Sequence, residues 1–395
     1  MNEALHQENR IFQNSSPKGE SREGATRIII AGGGTGGHIF PAIAIANALK
    51  RKIEKCEILF VGAKGKMEME KVPQAGYNII GIDIAGFNRS SLIKNIGLPF
   101  KLIKSFLQVR HIINDFKPDA VIGVGGYSSF PVLRFAQTKG IPTFIHESNS
   151  YAGKSNMLLG KKATKVFVAI DGMERFFPAE KTIITGNPIR SGIARVHTIP
   201  KKEALQFFGL AEGKKTVLAF GGSLGARSIN EAIARHLDLL LEKNLQLIWQ
   251  TGKSDSQKWK VLAESKKGVW VNEFITEMEN AYAAADIVVS RSGAMTVAEL
   301  CVVQKPVVFV PYPYAAEDHQ TVNAQKLVEK DAALMVKDSE AIDKMVPAVI
   351  ALAKDEQKQE QLKINIGKLA RTTADEEVAE EIIKAIGPLS PGGGT

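Results

Sequence analysis

The sequence predicts an α/β protein of two doubly wound, Rossmann-like parallel-sheet domains that face each other across a cleft. Short runs rich in Val, Ile and Phe alternate with longer amphipathic stretches, as in parallel sheets covered by helices on both faces. A strand, a glycine-rich turn and a helix open the pattern at 28–49 and again at 217–237. The length of 395 residues suits two domains better than one.

Each expected strand is a run of β-branched and aromatic residues that is bounded by glycine, proline or polar residues. The first series is RIIIAG (27–32), EILFVG (57–62), DAVIGVGG (119–126), TFIHE (143–147), KVFVAI (165–170) and TIITG (182–186). The second series is TVLAFGG (216–222), LQLIWQTG (245–252), GVWVNEF (268–274), DIVVSRSG (286–293) and PVVFVPYP (306–313). Ligands of such sheets bind at the carboxyl ends of the strands, so two facing sheets suit a transfer between two substrates.

The expected domain boundaries follow from composition. The join falls near residues 187–203, where NPIR and RVHTIP precede a new amphipathic stretch. Both termini have polar or Pro/Gly-rich compositions that do not favour a packed core. The predicted division is a disordered extension over 1–26, an N-terminal domain over 27–190, a C-terminal domain over 191–374, a final helix over 375–387 expected against the first domain, and a flexible tail over 388–395.

Charge is distributed unevenly along the chain. The net charge is +9, but residues 1–190 carry 26 Lys and Arg against 15 Asp and Glu, whereas residues 191–395 carry 25 against 27. We therefore expect one half to meet an anionic partner and do not expect a nucleic-acid-binding protein. The two cysteines lack metal or disulfide spacing, which favours a reduced, cytoplasmic compartment.

The first glycine-rich motif is GGGTGGH at 32–38. Its glycines fit the dinucleotide-binding pattern, but the second predicted strand ends without the acidic residue that NAD or FAD binding requires, so we predict no cofactor. Backbone amides at the start of a helix nevertheless suit an oxyanion. His38 closes the loop and is a candidate general base or ligand contact, with a packing or capping histidine as the alternative.

Further polar motifs follow other predicted strands. HESNSYAGKSN (146–156) is not a zinc-protease motif because position 150 is Ser. Arg190 is a candidate phosphate cation, and RSGAMTVAEL (291–300) begins a helix whose N-terminus suits a diphosphate. The absence of aspartates at D-x-D spacing speaks against a metal clamp, and we predict no metal. Other polar side chains of this kind are Ser223, Glu299, His319, Gln320 and Asn323.

Taken together and in this order, the motifs resemble the two-domain nucleotide-sugar glycosyltransferases of GT-B type. Within that type the sequence is similar to the bacterial family that moves N-acetylglucosamine from UDP-N-acetylglucosamine to a lipid-linked muramyl-pentapeptide. The resemblance covers roughly residues 27–386; Ser148 departs from it, since glutamine is common there. It is carried by GGTGGHIFPA, GVGGYSSFP, HESN, TGNPIR, GGSLGAR, FITEM, SRSGAMTVAE and DHQTVNA.

The resemblance also implies site residues. Near the uracil it implies Ile275, at the ribose Glu299, and for the acceptor the first domain near Tyr127. The implied catalytic residues are His38 as first choice of general base and Glu147 as second. The implied donor contacts are Thr35, Gly36, Gly37, Asn149, Arg190, Ser223, Ile275, Ala294, Met295, Thr296, Val297, Ala298, Glu299 and Gln320.

The reaction implied is a single inverting displacement in which the C4 hydroxyl of the muramyl sugar attacks the anomeric carbon and UDP leaves. In peptidoglycan synthesis this step converts lipid I, the undecaprenyl-diphosphate-linked muramyl-pentapeptide, into lipid II. The alternatives are another GT-B UDP-sugar transferase with a glycolipid or soluble acceptor, a UDP-N-acetylglucosamine epimerase, and a nucleotide-sugar-binding regulator. Product analysis distinguishes these classes.

A basic and apolar segment lies around residues 86–111. Between Asp83 and Asp115 the sequence holds Lys and Arg residues and many apolar ones, but no acidic residue. We expect this segment to dock on anionic lipid at the cytoplasmic side of the bacterial inner membrane, as a peripheral contact. The alternative is a core helix with a solvated basic face.

Overall fold

A seven-stranded parallel sheet organises the N-terminal unit in the computed structural model, which describes residues 24–84, 98–222 and 224–387. Its strands are β1 (Thr26–Ala31), β2 (Cys56–Ala63), β3 (Asn78–Ile82), β4 (Ala120–Gly123), β5 (Thr143–Glu147), β6 (Lys165–Val168) and β7 (Thr182–Ile184). They run in the order β3-β2-β1-β4-β5-β6-β7. The order reverses between β1 and β4, which is where a doubly wound sheet opens a crevice for ligand.

A six-stranded parallel sheet organises the C-terminal unit in the same way. Its strands are β8 (Lys215–Phe220), β9 (Leu245–Gln250), β10 (Val269–Asn272), β11 (Ile287–Ser290), β12 (Val307–Phe309) and β13 (Leu334–Met335). Their order is β10-β9-β8-β11-β12-β13, so the reversal falls between β8 and β11. The predicted pair of doubly wound α/β units is therefore confirmed.

Helices cover both faces of each sheet. In the first unit they are α1 (Gly36–Lys52), α2 (Glu68–Gln74), α3 (Leu98–Phe116), α4 (Ser129–Thr138) and α5 (Lys154–Gly160). Further along the chain they are α6 (Ser191–Ala194), α7 (Lys201–Phe207), α8 (Arg227–Glu242), α9 (Ser256–Ala263), α10 (Met278–Ala284), α11 (Ala294–Val303), α12 (His319–Val328), α13 (Ala341–Lys354), α14 (Glu356–Gly367) and α15 (Ala374–Ile386). Strand β1 shows the layering, since Ile28 and Ile30 pack into one core and Ile29 and Ala31 into the other.

The final helix, α15, belongs to the core of the N-terminal unit although it follows the C-terminal unit in sequence. Val378, Ala379 and Ile382 are fully buried there. Ion pairs join α15 to the end of α1: Arg51 pairs with Asp375 at 3.0 Å and with Glu376 at 3.4 Å, and Lys52 pairs with Glu380 at 2.7 Å. The chain therefore crosses between the units twice.

Two strands were not predicted from the sequence. Strand β3 is a half-buried edge strand whose run, NIIGI, contains a glycine, and β13 has only two residues. Neither contains an uninterrupted run of β-branched and aromatic residues, by which the other strands were recognised. The terminal segments 1–23 and 388–395, part of the predicted extension and the predicted tail, lie outside the described residues, as do residues 85–97.

Candidate active site

The two glycine loops of the N-terminal unit, 32–37 after β1 and 123–126 after β4, pack against each other at the carboxyl edge of the sheet, where the strand order reverses. The Gly33 N–H donates to the Gly125 carbonyl over 3.2 Å. A Cβ atom on Gly126, whose φ is +89°, would lie 2.4 Å from the Gly33 carbonyl oxygen. Only glycine permits this approach of two backbones. Tyr127 follows the second loop and is 56% exposed beside it.

Helix α1 begins at this edge. Its first backbone bonds run from the N–H groups of His38 and Ile39 to the Thr35 carbonyl. The N–H groups of Gly36 and Gly37 come before the first hydrogen bond of the helix and are therefore available to an anion. A Cβ atom on Gly37 would lie 3.9 Å from Met295 Cγ, so this loop faces the start of α11 in the other unit.

His38 is held in one tautomer. Its Nδ1 lies 3.0 Å from the Gly33 carbonyl oxygen, and since a carbonyl only accepts, Nδ1 carries the hydrogen. In the neutral ring Nε2 then has a free lone pair, as a general base requires. The half-buried ring packs on Gly125, where a Cβ atom would come 2.7 Å from Nε2.

His146 and Glu147 end strand β5, and both are buried. The Nε2 of His146 donates to the Gly186 carbonyl over 3.2 Å, and the Ser148 hydroxyl lies 3.4 Å from Nδ1. Burial lowers the pKa of His146 to about 4, so the ring is neutral at pH 7. These contacts assign His146 to the support of the loop.

The Glu147 carboxylate accepts four hydrogen bonds. Oε1 takes the backbone and side-chain N–H groups of Asn149 at 3.1 and 3.2 Å. Oε2 takes the Gly153 amide at 3.1 Å and the Asn156 side chain at 2.8 Å. With its lone pairs occupied in this way and only 4% of the residue exposed, Glu147 is suited to positioning Asn149 rather than to accepting a proton.

An ion pair joins Arg190, in the segment that follows the first crossing between the units, to Glu299 at the cleft. Guanidinium Nη2 and Nε lie 3.0 and 3.2 Å from Glu299 Oε1, and the Tyr282 hydroxyl donates to Oε2 over 3.1 Å. The guanidinium also stacks over the Phe40 ring at 4.5 Å. Burial alone would lower the pKa of Arg190, but the Glu299 carboxylate raises it above its usual value. The sequence singled out both charges but did not pair them.

Helix α11 starts on the C-terminal side of the cleft. Its first backbone hydrogen bond runs from the Val297 N–H to the Gly293 carbonyl, so the N–H groups of residues 294–296 have no partner within the helix. Residues 294–298, which include Thr296 and Ala298, are half-exposed, whereas Glu299 is buried. The Asn187 side chain donates to the carbonyls of Ser148, at 3.2 Å, and Ala294, at 3.4 Å, and so links the β5 loop to this helix.

The glycine loop after β8 is supported by a side chain that the sequence did not single out. Gln250 donates to the Gly222 carbonyl over 3.1 Å and accepts the Ile275 N–H over 2.9 Å. The Ile275 side chain is buried in the core, which leaves its carbonyl as the polar group able to meet a ligand. Ser223 lies outside the described residues.

The loop after β12 is tied to the one after β11. Gln320 accepts the Tyr312 N–H through its side chain over 3.0 Å, and its backbone carbonyl accepts the Ser292 hydroxyl over 2.8 Å. Asn323 donates to the Ser292 carbonyl over 3.1 Å. In the described part of the chain, no cluster of three or more His, Cys, Asp or Glu side chains is placed to hold a metal ion.

Two parallel-sheet units whose ligand-binding edges share one cleft are the architecture of the GT-B class, to which many glycosyltransferases belong. Two protein-family models match the sequence. The model of the glycosyltransferase family 28 N-terminal domain matches residues 28–168, and that of the family 28 C-terminal domain matches residues 216–381. The chain belongs to glycosyltransferase family 28.

Curated relatives are similar over most of their length. The chain is 51% identical over 361 residues to the UDP-N-acetylglucosamine–N-acetylmuramyl-(pentapeptide) pyrophosphoryl-undecaprenol N-acetylglucosamine transferase of Phocaeicola vulgatus, covering 91% of this chain and 96% of the relative. The protein of the same name from Parabacteroides distasonis is 50% identical over 363 residues, which cover 91% and 98%.

Solved structures share the fold. MurG of Acinetobacter baumannii superposes with a TM-score of 0.70 at 29% identity, over 90% of this chain and 99% of that one. A UDP-GlcNAc 2-epimerase of Neisseria meningitidis reaches a TM-score of 0.66 at 15% identity, over 91% and 100%. At that identity the likeness to the epimerase concerns the fold alone.

Proposed function

We propose that this enzyme transfers N-acetylglucosamine from UDP-N-acetylglucosamine to the C4 hydroxyl of undecaprenyl-diphosphate-linked muramyl-pentapeptide, with inversion at the anomeric carbon. The observation that carries the proposal is the 50–51% identity, over 91% of the chain, to transferases named for this donor and this acceptor. The product is lipid II, and the reaction belongs to peptidoglycan synthesis.

In this proposal the donor lies against the C-terminal unit. The amides at the start of α11 meet the diphosphate without a metal ion, because a helix N-terminus carries partial positive charge. The Ile275 carbonyl is next to the uracil, and Glu299 is next to the ribose. Arg190, held at the cleft by Glu299, adds a fixed cation for the departing UDP.

The acceptor lies against the N-terminal unit, near the paired glycine loops and Tyr127. His38 Nε2 takes the proton of the C4 hydroxyl as that oxygen bonds to the anomeric carbon and the bond to UDP breaks. Asn149, positioned by Glu147, and Gln320 hold the transferred sugar. The α1 amides at Gly36 and Gly37 face the same cleft and complete the site.

Product analysis tests this function. We expect UDP release from UDP-N-acetylglucosamine only when the lipid-linked muramyl-pentapeptide is present, together with a disaccharide-linked lipid product. Isomerised sugar without acceptor would instead identify an epimerase, and binding without turnover would identify a regulator. Release that depends on a diacylglycerol or a soluble acceptor, but not on the muramyl lipid, would assign a different transferase.

A lipid acceptor also requires contact with a membrane, and we propose that α3 provides it from the cytoplasmic side as a peripheral contact. The exposed fractions of Ile103 and Leu107 are 61% and 62%, and the exposed cations Lys104 and Arg110 lie beside them. Asp83 pairs with Lys104 at 3.0 Å. Among the described helices, none is long and apolar enough to cross a membrane. Residues 86–97 of the predicted patch lie outside the described residues.

Vesicle binding tests the membrane contact. We expect the protein to bind phosphatidylglycerol vesicles more tightly than phosphatidylcholine vesicles, and less tightly at high salt. The double substitution Ile103→Glu/Leu107→Glu should weaken binding at least about 10-fold, since a buried apolar side chain contributes about 1.5–3 kcal/mol. Val261→Glu, at an equally exposed apolar site on α9, is the control. Equal binding to both vesicle types would refute the contact.

A further inference from the structure

We propose that Glu68 positions and polarises the general base His38 through the peptide bond between Gly33 and Gly34. Glu68 is a positioning residue in this scheme, and the scheme rests on the proposed function only in naming His38 as the base. No motif in the sequence singles out Glu68, which lies in a charged segment after β2.

The contacts form a continuous path. Glu68 is 1% exposed, and its Oε2 accepts the Gly34 N–H over 2.7 Å. That N–H and the Gly33 carbonyl are the two ends of one planar peptide unit. The carbonyl end accepts the Nδ1 hydrogen of His38 at 3.0 Å. The same peptide unit therefore donates a hydrogen bond to a buried carboxylate through its N–H and accepts one from the imidazole through its C=O.

The surrounding backbone leaves room for this carboxylate. A Cβ atom on Gly33, whose φ is +148°, would lie 2.2 Å from Glu68 Cδ, and one on Gly62 would lie 2.5 Å from Glu68 Cγ. The second oxygen, Oε1, accepts the Ala63 N–H at the end of β2 over 3.0 Å. Both oxygens are thus fixed to backbone, so the position of the Gly33–Gly34 peptide is fixed as well.

The chemical consequence concerns the tautomer of His38. A negative charge at the N–H end of a peptide increases the electron density on its carbonyl oxygen, because hydrogen bonds in a chain polarise one another. A stronger acceptor at Gly33 favours the hydrogen on Nδ1 and leaves Nε2 unprotonated and able to take a proton. The arrangement resembles a base oriented by a third group, with a peptide placed between the carboxylate and the imidazole.

A double-mutant cycle separates this role from simple support of the fold. Glu68→Gln keeps the size of the side chain and removes its charge. We expect it to lower kcat about 10-fold, a loss typical of replacing a residue that orients a functional side chain through hydrogen bonds. The KM for UDP-N-acetylglucosamine should stay within about 2-fold, because the proposed donor contacts of the diphosphate and uracil belong to the other unit. In a His38→Ala background Glu68→Gln should have no further effect on kcat. Glu70→Gln, two residues further along the same helix, removes an exposed charge and is the control.

A second measurement does not depend on activity. In protein with ¹⁵N-labelled histidine, the imidazole nitrogen shifts of His38 should report the Nδ1–H tautomer in the wild type and in Glu70→Gln, but a mixture of tautomers in Glu68→Gln. If Glu68→Gln does not fold, Glu68→Asp, which withdraws the carboxylate by one methylene, takes its place with the same expectations.

Either of two results would overturn the proposal. One is that Glu68→Gln lowers kcat as much in the His38→Ala background as in the wild type. The other is that the His38 tautomer is unchanged in Glu68→Gln. If the proposed function itself is wrong, the experiments give a different result. The wild type would then release no acceptor-dependent UDP, while the nitrogen shifts would still show whether Glu68 controls the His38 tautomer.

Discussion

Replacement of His38 by alanine should lower kcat by about 10²–10⁴-fold, the range of general acid–base catalysis, while the dissociation constant for UDP-N-acetylglucosamine changes little. The reason is the geometry of the ring. Its Nδ1 is committed to the Gly33 carbonyl, and its Nε2 is free on the side of the glycine loops. Glu147, the other candidate base, already accepts four hydrogen bonds.

Steady-state transfer and calorimetric titration with the donor measure the two quantities separately. His197→Ala is the matched control, because that ring also lies by a backbone carbonyl, Val302 at 2.9 Å, but is exposed and away from the glycine loops. A folded His38→Ala enzyme with unchanged turnover would exclude a base role. Positioning and leaving-group electrostatics would then account for the catalysis.

The second large effect concerns Arg190. Arg190→Met should destabilise the protein by about 3–5 kcal/mol, since it leaves the buried Glu299 carboxylate without its cation. Tyr282 would remain as a partner of Glu299, but a neutral hydroxyl does not replace a charge. The loss should appear as a lower midpoint of urea unfolding.

The double variant Arg190→Met/Glu299→Gln makes this prediction specific. It removes both charges and should recover most of the lost stability, because a buried pair and a neutral replacement are often close in free energy. Donor affinity should not recover, since both side chains are proposed to contact the donor. Equal instability of the single and double variants would show that packing of Arg190 on Phe40, rather than its charge, carries the stability.

The fold was predictable because its signals are local. Runs such as 28–31 are buried on both faces and read as strands from composition alone, and the glycines that follow them mark the crossover turns. Strand β3 was missed because an edge strand needs no continuous apolar run. The positions of α1 and α11 in the site follow from the same pattern, since parallel strands place helix N-termini at one edge.

The partners of the site residues were not predictable in the same way. Gly34 and Glu68 are 34 positions apart, and Arg190 and Glu299 are 109 apart, so no spacing rule connects them. Charge alone does not separate Glu147, whose role as a base stays a prediction, from Glu68, which no sequence motif singles out. Both carboxylates are buried, and both their burial and their hydrogen-bond partners depend on tertiary contacts.

The two crossings of the chain between the units are in contact with each other. The Arg371 side chain, just before α15, lies against Gly186, just before the first crossing, with its Nη1 3.5 Å from the Ile184 carbonyl. Two chain segments that cross side by side between the units act as a single hinge. Any rotation of one sheet relative to the other is therefore centred there, and its displacement grows with distance from that point. Lys71, which follows β2 near the opposite edge of the first sheet from β7 and lies 5.9 Å from the Phe274 ring, would be displaced farther than the residues beside the hinge.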